Sequence, residues 1–177
     1  RGAKFLHYRP ETLVLTSVEY DHADLYPDPA ALIDAYARLI GLLPDSGLLV
    51  ACGDSPEVRA LAHRARCPVV LYGESEGLDV RFAAPPRTGP DGVRFTVVER
   101  DGARHEVALG IGGTHNATNA LSVWAAARHD GLAPAEIATA FAAFRGVKRR
   151  QELVGEAGGV AVVDDFAHHP TAVGKTL

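Results

Sequence analysis

Asp164-Asp165-Phe-Ala-His168-His169-Pro170 is the densest run of chemistry-bearing side chains in the sequence. Paired carboxylates followed by paired imidazoles can ligate a metal, contact a ribose or move a proton, and such a run is uncommon by chance. In Glu19-Tyr-Asp21-His22-Ala-Asp24 an imidazole stands beside carboxylates, a set able to hold a divalent cation. Spacing alone favours the plainer alternative there, a capping or surface cluster ahead of a helix. His115-Asn116-Ala-Thr-Asn119 follows Gly110-Ile-Gly-Gly113. Asn116 and Asn119 share a helix face, and an amide that both donates and accepts suits the edge of a nucleobase. The glycines permit close backbone approach and a helix start attracts anions; ordinary N-capping by Thr114 or Asn116 is an equal alternative. Lys148-Arg149-Arg150, with Glu152, offers guanidinium forks to phosphate oxygens, or is a solvated linker. Gly174-Lys175-Thr176 mimics the end of a phosphate loop but lacks the upstream glycine and the preceding strand.

The elements that position these residues can be read from periodicity. Thr12–Thr16, Leu48–Cys52 and Val69–Tyr72 are short apolar, β-rich runs. Between the first two, Ala31, Leu32, Ala35, Leu39 and Leu42 or Leu43 fall near helical spacing behind Pro27 and Pro29. Between the second and third, Asp54 or Ser55 can cap a helix from Pro56 to about Ala65. The βαβαβ pattern predicts a parallel sheet with helices on its faces. Shorter strands follow at Asp79–Ala84, Val93–Arg100 and Glu106–Leu109, with turns at Pro85-Pro86, Gly89–Gly92 and Asp101-Gly102. They predict a small antiparallel sheet. Helices are expected from Thr114 or His115 to Arg128 and from Pro134 to about Phe144, then strands at Glu152–Val154 and Val160–Val163, and a helix from Pro170.

Composition bounds the class. The chain has 177 residues, net charge −4, 47% hydrophobic and 23% charged residues, which are globular proportions that exclude disorder as the main state. Mild acidity argues against a broad nucleic-acid surface. No apolar run approaches the roughly 20 residues that span a bilayer, and the opening residues do not read as a signal peptide. Cys52 and Cys67 read as reduced core or near-core residues, consistent with a cytoplasmic protein. The chain starts without Met and ends inside an early helix, so a piece of a larger protein is expected. A domain boundary is expected near Arg150, dividing 1–150 from 151–177.

Taken in order, Phe5-Leu-His-Tyr-Arg-Pro10, Glu19-Tyr-Asp-His-Ala-Asp24, His115-Asn-Ala-Thr-Asn-Ala120, Gly146-Val-Lys-Arg-Arg-Gln-Glu152 and Asp164-Asp-Phe-Ala-His-His-Pro-Thr171 resemble the motifs of the Mur ligases of peptidoglycan synthesis. The resemblance covers nearly the whole chain. The form of the last motif narrows it to two branches of the family. One joins the tripeptide L-alanyl-γ-D-glutamyl-meso-diaminopimelate to UDP-N-acetylmuramate in recycling; the other adds L-alanine to the same acceptor. The Phe5–Pro10 opening favours the recycling branch.

The resemblance implies an α/β fold: a Mur ligase central ATP-binding domain over 1–150, then the start of a Rossmann-like C-terminal domain over 151–177. It implies ATP-driven amide formation through an acyl phosphate, with ATP and Mg²⁺ as cofactors. UDP-N-acetylmuramate and the murein tripeptide are the implied substrates. By motif, His22 is implied as a Mg²⁺ ligand and His115, Asn116 and Asn119 as the adenine face. Arg150 is implied at the ATP phosphates, Asp165 at the nucleotide, and His168 near the reaction centre. The family's glycine-rich phosphate loop, an upstream acidic Mg²⁺ ligand and most of the amine-binding domain are not in the sequence. No lysine lies between Lys4 and Lys148 to serve as the carbamylated lysine some members use. The piece alone is therefore expected to be inactive, and a sheet edge left apolar could be covered by homo-oligomerisation. The rival readings are a non-catalytic nucleotide- or partner-binding remnant, and a hydrolase whose metal would be gathered by Asp21-His22 and His168-His169.

Overall fold

The computed structural model describes residues 3–176. After a short 3-10 helix, Lys4–His7, the chain runs β1 (Thr12–Leu15), α1 (Pro29–Ile40), β2 (Leu48–Cys52), α2 (Pro56–Ala62) and β3 (Val69–Gly73). β1, β2 and β3 pair in parallel, as the βαβαβ pattern predicts. Local chemistry sets the helix starts. Asp28 accepts the Ala31 amide ahead of Pro29, and Ser55, not Asp54, accepts the Val58 amide ahead of Pro56. α2 stops at Ala62 rather than near Ala65, because the Arg64 and Ala65 amides tighten into turn bonds to Leu61 and Ala62.

β4 (Val80–Phe82) adds in parallel to β3 and then pairs antiparallel with β6 (Gly92–Glu99). β5 (Arg87–Gly89) and β7 (Arg104–Leu109) flank β6, so the antiparallel strands continue the parallel ones in one seven-stranded sheet. β5 was not legible as a strand, being three exposed residues wedged between turns. The helices α3 (Thr114–His129) and α4 (Pro134–Ala143) follow. A separate two-stranded sheet of β8 (Glu152–Ala157) and β9 (Val160–Asp164), with α5 (Pro170–Thr176), ends the described chain. Gly174–Thr176 lies within α5 and is not a phosphate loop.

The pleat divides the core. Leu48 and Val50 of β2 face one side, packed with Trp124, Leu121 and Ala117 of α3 and Phe141 of α4. Leu49 and Ala51 face the other side, with Ile40, Val58, Leu61 and Leu15. β2 is buried on both faces, which is why it reads as an unbroken apolar run rather than an alternating one. Helices therefore cover both faces of the parallel strands, while β6 and β7 alternate buried and more open positions, and the carboxyl ends of β1, β2 and β3 open on a common edge.

Candidate functional site

Parallel strands present their carboxyl ends together, where open α/β sheets bind ligands. Thr16, Ser17, Glu19, Asp21 and His22 follow β1; Cys52 and Asp54 end β2; Glu74 and Ser75 follow β3; all line one open cavity of about 1730 Å³. The start of α3 brings His115, Asn116 and Asn119 to the same cavity, and the connection into β8 brings Arg150 and Gln151. Asp165 and His169 close it from the strand end of β9. Residues implied by separate motifs thus meet in one place. His168 is the exception: it is exposed at the rim while its neighbour His169 forms the wall.

The 19–22 loop is built around Asp21. The His22 amide donates to Asp21 Oδ1 at 2.7 Å, and the His22 carbonyl accepts the Leu25 and Tyr26 amides, which holds His22 at φ 57. The His22 amide is the main cause holding the Asp21 carboxyl below its ordinary range; the nearby His22, His168 and His169 imidazoles add to it. His22 Nε2 and His168 Nε2 each lie 3.8 Å from Asp21 Oδ2. The two motifs therefore approach one another, yet among the described residues no three His, Cys, Asp or Glu side chains are grouped to hold a metal by themselves.

At α3 the structure replaces the capping alternative. Gly113 is the N-cap, at φ +92, with no side-chain cap; neither Thr114 nor Asn116 fills that place. Asn116 instead donates its Nδ2 back to the Gly112 carbonyl at 2.7 Å, leaving its Oδ1 as the group available to a ligand. Asn119 is exposed on the next turn, beside Val123, with Phe144 and Val147 also on the cavity wall. Apolar wall beside an amide suits a flat heteroaromatic ring.

The last motif acts largely through geometry. Asp165 Oδ2 accepts the Gln151 amide at 2.9 Å and Oδ1 accepts the Ala167 amide at 2.6 Å. Both oxygens are thereby fixed, each keeping one lone pair for a hydroxyl ligand. Phe166 supports the basic pair, with the Arg149 and Arg150 guanidinium carbons 5.0 and 5.7 Å from its ring centroid. Arg149 also faces Asp164 at 3.5 Å. Arg149 and Gln151 hold positive φ, as His22 does, so the non-glycine residues in left-handed backbone among the described residues line the cavity or flank residues that do.

Sequence reasoning missed a clamp between β2 and β3. Asp54 accepts the Glu74 amide at 2.6 Å, the Ser75 amide at 3.0 Å and the Ser75 hydroxyl. A Cβ at Gly73 would overlap the Asp54 carboxylate, so only glycine fits there. The position of Gly73-Glu74-Ser75 directly after a parallel strand was the available signal. Cys52 is half-buried on the cavity wall and Cys67 is buried; both are free thiols.

Comparison with known proteins bears on this geometry. The family model described as the Mur ligase middle domain matches residues 2–127. A UDP-N-acetylmuramate–L-alanine ligase of Rubrobacter xylanophilus is 41% identical over 95% of this chain and 36% of its own length. The crystal structure of the UDP-N-acetylmuramate:L-alanyl-gamma-D-glutamyl-meso-diaminopimelate ligase from Neisseria meningitides is 35% identical, with TM-score 0.70, over 83% of this chain and 44% of that one. The UDP-N-acetylmuramate-alanine ligase of Thermotoga maritima shares the fold, with TM-score 0.79 and 22% identity over 96% of this chain and 38% of that one. The chain thus spans little more than a third of the curated relative's length.

Proposed function

Because the chain belongs to the Mur ligase family, through its middle domain, we propose that it is the nucleotide-binding core of an ATP-dependent ligase acting in the cytoplasm. In this reading residues 1–150 are the central domain and 151–177 open the C-terminal one. That division is supported by the separate β8–β9 sheet. The observation that carries the reading is the convergence of His22, His115, Asn116, Asn119, Arg150 and Asp165 on one cavity.

The reaction would couple ATP to an amide bond. A carboxylate oxygen of UDP-N-acetylmuramate attacks the γ-phosphorus and ADP departs. The amine nitrogen then attacks the acyl carbon, a proton leaves the nitrogen, and inorganic phosphate departs. Charge builds on the transferring phosphoryl group, so positioning and cationic groups carry most of the catalysis. Asn119 and the free Oδ1 of Asn116, with His115 beside them, would edge the adenine against the apolar wall that includes Val123 and Phe144. Arg150, supported by Phe166, would meet phosphate oxygens. Asp165 would accept a ribose hydroxyl while holding the 149–151 turn.

Mg²⁺ fits the donor set at the 19–22 loop. Asp21 is kept ionised there, and Mg²⁺ takes one or two protein ligands, completing its shell with phosphate oxygens and water. Asp21 and His22 would hold it, and when bound it would neutralise phosphate charge.

Of the two branches, the L-alanine-adding one is better supported, by the 41% identity of the Rubrobacter relative over nearly the whole chain. The tripeptide-recycling branch stays as a second reading because of the 35% identity to the Neisseria enzyme. The test is calorimetric titration of this chain with ATP and Mg²⁺, beside an Asn116→Ala/Asn119→Ala double variant. Binding weakened at least tenfold in the variant, about 1.4 kcal/mol, is expected. Equal binding by both folded proteins would overturn the site assignment. ADP release by the enzyme carrying this domain, stimulated by L-alanine and not by the tripeptide, would decide between the branches.

A further inference from the structure

Glu19 makes contacts that none of the roles above uses. It leaves the end of β1, yet its carboxylate oxygen Oε2 accepts the hydroxyl of Thr171, 152 residues away in the sequence. The same oxygen lies 3.4 Å from His169 Nδ1. Thr171 is the second residue of α5 and His169 the residue just before it. One carboxylate thus gathers a hydroxyl donor and an imidazole from the start of α5, and both of those side chains are cavity wall. Next to it, His168 Nε2 reaches only to 3.8 Å from Asp21, too long for a hydrogen bond. The opposite end of the 165–171 segment is tied elsewhere, through Asp165 to the Gln151 amide and through the Phe166 amide to the Arg149 carbonyl.

We infer that Glu19 is a positioning residue that latches the 165–176 segment across the cavity, onto the loop that follows β1. Hydrogen bonds to an ionised acceptor are roughly twice as strong as neutral ones. The contact therefore sets where His168, His169 and α5 stand relative to Asp21 and His22. Asp165 fixes the base of this segment and Glu19 fixes its tip. The latch is a property of the chain itself; its consequence for ligand retention rests on the nucleotide reading above.

Backbone hydrogen exchange tests it on the unliganded chain, with ADP affinity as the second readout. In Glu19→Ala and in Thr171→Val, exchange of the Val173 amide, which donates to the His169 carbonyl at 2.9 Å, should accelerate about tenfold or more. Amides of β2 and α3 should not change. Glu19→Gln keeps an oxygen acceptor and should recover most of the protection. With Mg²⁺ present, Glu19→Ala should bind ADP at least fivefold more weakly than the unsubstituted chain, through faster release. Unchanged Val173 exchange in both disrupting variants overturns the latch. Acceleration spread equally through β2 and α3 also overturns it, because it marks a general stability role. An opened latch with ADP affinity unchanged overturns the positioning role. If the unsubstituted chain binds no ADP, the nucleotide reading falls, and the exchange result alone still decides the latch.

Discussion

His22, Arg149 and Gln151 adopt a backbone that side chains with a Cβ disfavour, at about 1–3 kcal/mol each. The surrounding hydrogen bonds hold them there, and each stands beside a group assigned to ligand binding. Gly113 shows the opposite economy: at φ +92, a Cβ would sit 2.7 Å from His115 Cε1. Gly113→Ala should destabilise the chain by about 2 kcal/mol in urea denaturation. Gly131→Ala, at φ +88 with open space around it, should cost about half as much, the difference reporting the His115 overlap. At Asp21 the prediction concerns pH. Its folded value is lowered, chiefly by the His22 amide, so the ionised form is favoured by the fold. The contribution is complete above the ordinary carboxylate value and disappears as pH falls through the lowered one. Carboxyl carbon chemical shifts should show Asp21 titrating below 3.8, its ordinary value. A His22→Ala variant keeps the donated backbone N–H and should retain most of the lowering, because the imidazole is the lesser cause.

At the scale of the element, α3 joins the core to the site. Its buried face carries Ala117, Leu121 and Trp124, while Asn116 and Asn119 line the cavity. Helical period alone links the two, so packing errors in the core are transmitted to the cavity edge. Leu121→Ala should cost about 2–5 kcal/mol of stability in urea denaturation. Trp124 adds a polar anchor: its Nε1 donates to Glu99 at 2.9 Å, and Arg128 Nε donates to the same oxygen. β3 supplies a second titratable probe. Burial is the main cause pushing the Tyr72 phenol far above its ordinary value. The fold thus favours the neutral phenol. That contribution is present below the ordinary value and is lost as pH rises towards the folded one. Ultraviolet titration should show a late phenol phase that Tyr72→Phe reduces, the remainder belonging to Tyr36, whose phenol burial also pushes up.

Over the whole molecule, the core is uneven. β2 at the centre of the parallel strands is buried on both faces, whereas Leu153, Val154, Val160, Val162 and Val163 of the β8–β9 hairpin are each more than half exposed. Apolar side chains exposed on a two-stranded hairpin favour association. Sedimentation of this chain should show concentration-dependent self-association that Val162→Glu reduces while the melting temperature of the main sheet is unchanged. The sequence by itself determined the α/β class, β1 to β3 with their helices, and the motif residues. Apolar periodicity, Asp28 and Ser55 capping and the prolines are local signals, read within a few residues. It did not determine that β4 would join the antiparallel strands to the parallel sheet, since strand order depends on pairing between distant segments. Nor did it determine that Asp54 would clamp Gly73-Glu74-Ser75, that Asn116 would turn back to Gly112, or that Glu19 would reach Thr171. Those are contacts between side chains and backbone brought together only after the sheet has formed, and no local spacing encodes them. The residue types were legible in the sequence, and only the tertiary structure decided which of them are spent on holding the site and which are left facing the cavity.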